Sequence, residues 1–229
     1  MNQHTLPGNP PLEINLRPSK QAKRMSLRVS RLDGRVTLTF PYLMKESTAL
    51  EFLREKESWL RAQHEQHAAP VRVEYGISLP FQGQNRMIVP SESRRIEIGE
   101  AIAVPKSTSS LSKRLLAHLK QAARSELAFA SDKYAQKLGR SYSRLSIRDT
   151  RSRWGSCSSN GGLMYSWRLI MAPRDVLDYV AAHEVAHLEE MNHSQAFWDV
   201  VETLYGDFKA PRRWLAESGH ELHRYRFED

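Results

Sequence analysis

His183-Glu184-Val185-Ala186-His187, with Asn192-His193-Ser194 close behind, is the stretch from which the fold and chemistry of this chain are read. Two His residues four apart project from one helix face and can share a zinc ion, and the Glu beside them can deprotonate zinc-bound water. Pro173 suits the first helical position and Ala172 the cap, which predicts a helix from Pro173 to Met191. At about 100° per residue, Val176, Val180, His183 and His187 fall within roughly 60° of one another, opposite a polar stripe of Asp175, Asp178 and Glu189. Glu184 projects away from that stripe, next to Leu177 and Leu188, where an unpaired carboxylate is costly. A catalytic carboxylate explains this placement; the structural alternative is a buried His pair with Glu184 ion-paired to a nearby Arg.

A catalytic zinc needs a third protein ligand, and His193 is the candidate, with Glu202 the alternative. On a continuous helix His193 would point away from His183 and His187. The helix must therefore end first, and Asn192 can break it by adopting the left-handed conformation. Ser194 then caps a new helix carrying Phe197, Trp198, Val201 and Tyr205 at core spacing.

Upstream, Asn160-Gly161 predicts a hairpin with a two-residue type I′ turn. Counting outward opposes Ser158 to Leu163, Cys157 to Met164, Ser156 to Tyr165, Trp154 to Trp167 and Arg153 to Arg168. Facing tryptophans are ordinary cross-strand packing, whereas two opposed arginines destabilise a sheet unless a carboxylate or a bound anion lies between them. The stretch Arg140 to Arg174 holds seven Arg and one acid, Asp149, and the planar guanidinium fork matches phosphate or carboxylate. Arg153, Trp154 and Arg168 are thus candidate substrate-binding residues, with a structural acid for the Arg pair left open.

The remaining sequence bounds the class. With 229 residues, 40% hydrophobic and 26% charged, the composition is that of a folded globular chain. No apolar run is long enough for a membrane span and no secretory leader is evident, so a cytoplasmic, non-membrane protein is expected. A single cysteine, Cys157, excludes an internal disulfide and a zinc site of several thiolates. On a strand it reads as a small buried hydrophobe rather than a redox group. The formal charge of +8 favours anionic partners, and Leu12 to Lys45 carries eight basic residues against two acids. Met25, Leu27 and Val29 alternate with polar residues, as do Val36, Leu38 and Phe40 beyond an Asp33-Gly34 turn, giving a hairpin with one apolar and one basic face. A helix capped by Ser47 follows, through Leu50, Leu53, Glu57 and Leu60 to about His67. Val71 to Val104 reads as a small irregular sheet, Ser107 to Ser110 as a boundary, and Leu111, Leu115, Leu119, Ala122 and Phe129 as a long helix closed by Gly139. His64, His67, His118, His220 and His223 read as surface or satisfied residues.

Arg153-Trp154-Gly155-Ser156-Cys157-Ser158, Trp167-Arg168-Leu169 with Ala172-Pro173, the HExxH segment, and Asn192-His193-Ser194 with Phe197-Trp198 together resemble the YgjP-like metallopeptidase family. That family belongs to the small gluzincin-type zincins and is similar to the SprT and Wss-type proteases. The resemblance implies His183, His187 and His193 as metal ligands, Glu184 as general base, and the Trp154 hairpin as a rim of the cleft.

The expected architecture is α+β: a basic β-rich N-terminal part over 1–106, then a zincin-like metallohydrolase domain over 107–229 with the HExxH helix and an adjacent β-hairpin. The expected function is a Zn2+-dependent hydrolase acting on a peptide or protein. Two alternatives remain: a nucleoside triphosphate pyrophosphatase (of an NTP such as UTP) using arginines to hold phosphates, and a non-enzymatic nucleic-acid-binding protein with a structural zinc. Three protein ligands and an adjacent Glu argue against a structural site, which normally fills all four positions.

Overall fold

The computed structural model describes residues 2–8, 10–30, 34–65, 70–106 and 110–227. Asp33, His67 and Ser107 to Ser109 lie outside them. The fold is α+β and comprises two compact units, Met1–Ala69 and Pro70–Asp229.

In the first unit, β1 (Asn2–Leu6), β2 (Leu12–Ser19), β3 (Ser26–Val29) and β4 (Val36–Pro41) form a sheet in the order β1-β2-β4-β3. The expected hairpin is present, with Val29 opposite Val36 and Leu27 opposite Leu38, and with Arg28 opposite Thr37 on the polar face. Alternation buries Ile14, Leu16, Val36, Leu38 and Phe40 against Ala49, Leu53 and Leu60 of α1 (Glu46–Glu55) and α2 (Glu57–Glu65). Lys45, rather than Ser47, precedes the first helical residue, and Lys56 interrupts what was expected to be one helix.

The second unit starts with β5 (Val71–Arg72), then β6 (Ser78–Phe81), β7 (Gln84–Ser91), β8 (Glu97–Ile98) and β9 (Ile102–Pro105), the last four in the order β6-β7-β9-β8. These strands were expected to belong with the N-terminal part. Instead Val73, Leu79, Ile88, Ile102 and Val104 share one core with the helices that follow, so the division falls at residue 69 and not at 106. The 28-residue α3 (Leu111–Leu138) is capped by Ser110, whose Oγ accepts the Lys113 N–H at 3.3 Å, and closes at Gly139 with φ 69°. Its buried stripe runs Leu115, Leu119, Ala123, Leu127, Ala130, Tyr134. Phe129 is out of phase with that stripe and 71% exposed, contrary to its expected core position.

Next come β10 (Arg144–Arg148), β11 (Gly155–Cys157) and β12 (Gly162–Ser166), ordered β10-β12-β11, which leaves β11 at the sheet edge. The hairpin register differs by one residue from the expected one: Gly155 opposes Tyr165, Ser156 opposes Met164 and Cys157 opposes Leu163. The loop has three residues, with Ser158 N–H bonded to Gly162 O and Gly161 N–H to Ser158 O, both at 2.8 to 2.9 Å. Only Gly161 takes a positive φ, 75°, where a type I′ turn needs two consecutive positive values. After a 3-10 segment, Trp167–Met171, the chain continues as α4 (Arg174–Ala186), α5 (Gln195–Tyr205), α6 (Lys209–Glu217), a second 3-10 turn over Gly219–His223, and β13 (Tyr225–Arg226), which pairs with β5.

Candidate active site

α4 carries His183 and Glu184 in its last turn and ends on His187, several residues before the expected Met191. Leu188 to Glu190 turn back by bonding to Val185 and Ala186 carbonyls. Asn192 is not left-handed; its Oδ1 accepts the Ser194 N–H at 2.9 Å, a side-chain turn that aims His193 back toward α4. Ser194 is the N-cap of α5 as expected, without a side-chain cap bond.

These turns bring His183, His187 and His193 together, with candidate ligand atoms all within 4.8 Å of one another. The Nε2 atoms of His183 and His193 are 3.2 Å apart. His187 Nδ1 lies 2.9 Å from the Glu190 carbonyl, which orients the ring and leaves Nε2 for a metal. Phe197, fully buried on α5, sits 4.9, 4.4 and 4.8 Å from the rings of His183, His187 and His193, so one side chain packs against all three. Sequence reasoning placed Phe197 in the core but did not connect it to the ligands. Its position four residues after His193, on a capped helix, was the available signal. Burial, the neighbouring His187 and His193, and Arg212 push the His183 imidazole down to about 3, and burial also lowers His187. Three imidazoles are a donor set that fits zinc. Glu202 is not part of the cluster.

Glu184 is 5% exposed. Burial pushes its carboxyl up to about 8, against the opposing influence of the Arg153 charge and a hydrogen bond from the Cys157 backbone. Its side chain lies directly on β11. A Cβ placed on Gly155 would come within 2.5 Å of Glu184 Oε1, so any other residue here would displace the carboxylate. Gly155 was quoted in the sequence pattern without a role; strand-to-helix contact of this kind is not visible in a single sequence. Cys157, half-buried and with its thiol pushed up to about 11 by burial and by Glu184, has the character of a small apolar residue rather than a thiolate.

The expected substrate-binding residues separate. Arg153 is exposed, and its charge acts on Glu184. Trp154 does not oppose Trp167; it packs 5.2 Å from His223 and against Gly219, with its carbonyl accepting the Ser166 N–H. Arg168 does not oppose Arg153 and is turned away from solvent, 6% exposed. It donates to both carboxylate oxygens of Asp149 at 2.7 and 3.2 Å and to the Leu222 and Tyr225 carbonyls at 2.8 and 3.2 Å. The single acid of the Arg-rich stretch is therefore its structural partner, and Arg168 is not free to hold a substrate. His223 is likewise not a surface residue; at 5% exposure, burial and the Arg168 charge bring it down to about 4.

Tyr179 and Trp198 complete the wall around the three His, with Tyr179 6.0 Å from the His183 ring and Trp198 5.8 Å from His183 and His193. Beside His187, a cleft is lined by Ser158, Asn160, Gly161, Leu188 and Met191. No helix among the described residues is long and apolar enough to cross a membrane.

The family description "YgjP-like, metallopeptidase domain" matches residues 23–218. A solved structure, the metallopeptidase zymogen of Pyrococcus abyssi abylysin, is similar at 21% identity over 42% of this chain and 95% of that one, with a TM-score of 0.34. No curated protein matches significantly.

Proposed function

This chain belongs to the YgjP-like metallopeptidase family, and on that premise we propose that it is a zinc-dependent peptidase with His183, His187 and His193 as ligands and Glu184 as general base. The observation that carries this reading is the convergence of three imidazoles, ligand atoms within 4.8 Å, beside a buried carboxylate. Three protein ligands leave a coordination position open, as catalytic sites do. When bound, zinc would supply Lewis acidity, polarising the scissile carbonyl and acidifying water.

The chain's own residues supply the rest. Glu184 accepts the proton of the attacking water and delivers it to the leaving amine, so that one carboxylate serves as base and then acid. The close contact with Gly155 fixes that carboxylate beside the strand edge. β11 has no strand on its outer side, and apart from the Cys157 N–H, which bonds Glu184, its outward backbone groups can pair with an extended peptide. Phe197 and the Glu190 carbonyl hold the imidazoles in register. A triphosphate substrate is less well supported, since it relied on Arg153 and Arg168 acting together and Arg168 is committed to Asp149. A purely structural zinc is disfavoured by the absence of a fourth ligand from the cluster among the described residues.

The test is a peptide-library digest with purified, zinc-loaded protein and its Glu184→Gln variant as the blank. Glu184→Gln is expected to keep about one zinc per chain and to lose at least about a hundredfold in turnover. Wild-type turnover by Glu184→Gln would remove the general-base assignment.

A further inference from the structure

Two arginines stand near the reacting centre without an acidic partner. Arg140, Arg168, Arg174 and Arg224 of the same unit are each ion-paired, to Glu189, Asp149, Glu126 and Glu221. Among the described residues Arg153 and Arg212 have no such pair; Arg144, Arg148 and Arg213 have none either, and what sets Arg212 apart is its place against the wall of the three His. Arg212, on α6, rests its guanidinium 4.6 Å from the centre of the Trp198 ring, the ring that walls His183 and His193 at 5.8 Å. The aromatic face holds the cation in place while leaving its N–H donors free for another acceptor. Arg153 comes two residues before Gly155, the residue on which the Glu184 carboxylate packs. The charges reach the centre: Arg153 acts on Glu184, and Arg212 on His183 and Tyr179.

We infer that Arg153 and Arg212 are specificity-determining residues that select peptides with Asp or Glu beside the scissile bond. The inference rests on the peptidase reading and names its substrate class. A positive field from two separate elements attracts a carboxylate and disfavours Lys or Arg at the same positions. Asp and Glu side chains present a planar pair of acceptors that the guanidinium fork matches. A peptide is favoured over a nucleotide as the carrier of that negative charge because the open edge of β11 pairs with an extended backbone and offers nothing comparable to a base or ribose.

The experiment uses the full-length, zinc-loaded chain and matched fluorogenic peptides that differ only in Glu, Gln or Lys on each side of the scissile bond. Binding of the same peptides to Glu184→Gln is followed in parallel by fluorescence anisotropy at two salt concentrations. The Glu peptide should exceed its Gln counterpart in kcat/KM by about fivefold or more, the upper range for an exposed ion pair, with Lys lowest. The binding preference should run the same way and shrink at high salt. In Arg153→Gln and Arg212→Gln the Glu-to-Gln ratio should fall, and in the double variant it should approach unity; Arg212→Glu should shift the preference toward Lys. Both arginines are exposed, and Gln keeps part of the stem over Trp198, so folding is not at issue. Equal rates for Glu and Gln peptides in the wild type, or a preference that survives in the double variant, would overturn the inference while leaving the peptidase reading intact. If no peptide of any charge is cleaved, the peptidase reading falls first and the inference with it, whether or not a nucleoside triphosphate is hydrolysed.

Discussion

Two polar clusters lie within the second unit, and they are built on opposite principles. Around Arg168, the buried charge has been given its partners: the guanidinium is bonded to Asp149 and to two carbonyls and lies over the Trp167 ring. Around His183 the opposite holds. Three imidazoles converge, and a buried carboxylate beside them is compensated only by one backbone N–H and a more distant Arg153 charge. Buried polar groups with complete partners rigidify a fold, and those without them are costly unless something else completes them. The difference separates a structural cluster from a reactive one more sharply than residue type does, since both contain His, Arg and a carboxylate.

The largest expected effect tests the reactive side. A His183→Ala/His187→Ala variant should lose its metal entirely, from about one zinc per chain to none by elemental analysis; full occupancy in that variant would mean the cluster is not the metal centre. Gly155→Ala comes next. The new Cβ would lie 2.5 to 2.7 Å from Glu184 Oε1, Cγ and Cδ, so the carboxylate must move. Turnover should fall on the order of a hundredfold, the cost of a misplacement of about 1 Å, with metal content unchanged. Unaltered kinetics would show that the β11–Glu184 contact does not position the base.

The same contrast explains which parts of the molecule could be read from the sequence. The HExxH geometry is local, because residues four apart on a helix meet whatever the rest of the chain does. His183, His187 and Glu184 were therefore legible. His193 was legible once a break was required, although the break comes from the α4 end at His187 and the Asn192 side-chain turn instead of a left-handed Asn192. Strand register was not. It depends on whether Asn160 or only Gly161 adopts positive φ, and a one-residue slip sends Trp154, Arg153 and Arg168 to different neighbours. The unit boundary was misplaced for a related reason. The Ser/Thr stretch before α3 resembles a linker, whereas Leu79, Ile88 and Ile102 acquire their partners only through long-range contacts with the helical core. Asp149 as the partner of Arg168, nineteen residues away and in no shared element, carries no sequence signal beyond being the lone acid in an Arg-rich stretch.

A smaller effect tests the satisfied cluster. Arg168→Ala leaves Asp149 and two carbonyls without their donor. Because the Asp149 side chain is 46% exposed, the cost of breaking a buried pair is discounted to about 2 to 3 kcal/mol. That corresponds to a fall in Tm of about 4 to 12 °C for a chain of this size. The KM of the folded enzyme for any substrate should change little. A large rise in KM with unchanged Tm would return Arg168 to the substrate site and erase the distinction between the two clusters.

The remaining effect appears only below pH 6.5 and develops gradually with pH. His223 lies in the satisfied cluster against Trp154, and burial, with the Arg168 charge, holds its imidazole at about 4, below the ordinary 6.5. Above pH 6.5 the imidazole is neutral in both folded and unfolded chains and has no pH-dependent influence on stability. Between pH 6.5 and about 4 the unfolded chain takes up a proton that the folded chain refuses, so stability falls as pH falls, by on the order of 3 kcal/mol when the interval is complete. Asp149 works in the same direction at lower pH: burial raises its carboxyl, but Arg168 and the neighbouring His223 outweigh that and keep it below the usual range, so its stabilising pair with Arg168 is lost only as it protonates. The check is the pH dependence of Tm for the metal-free chain compared with that of His223→Gln. All other groups are common to both proteins and cancel in the difference, which should be flat above pH 6.5 and should grow in favour of His223→Gln down to about pH 4. Parallel profiles would show that His223 accepts its proton in the folded state at no penalty. The cluster behind Trp154 would then tolerate a charge that its burial is expected to exclude, and its description as a closed structural cluster would not hold.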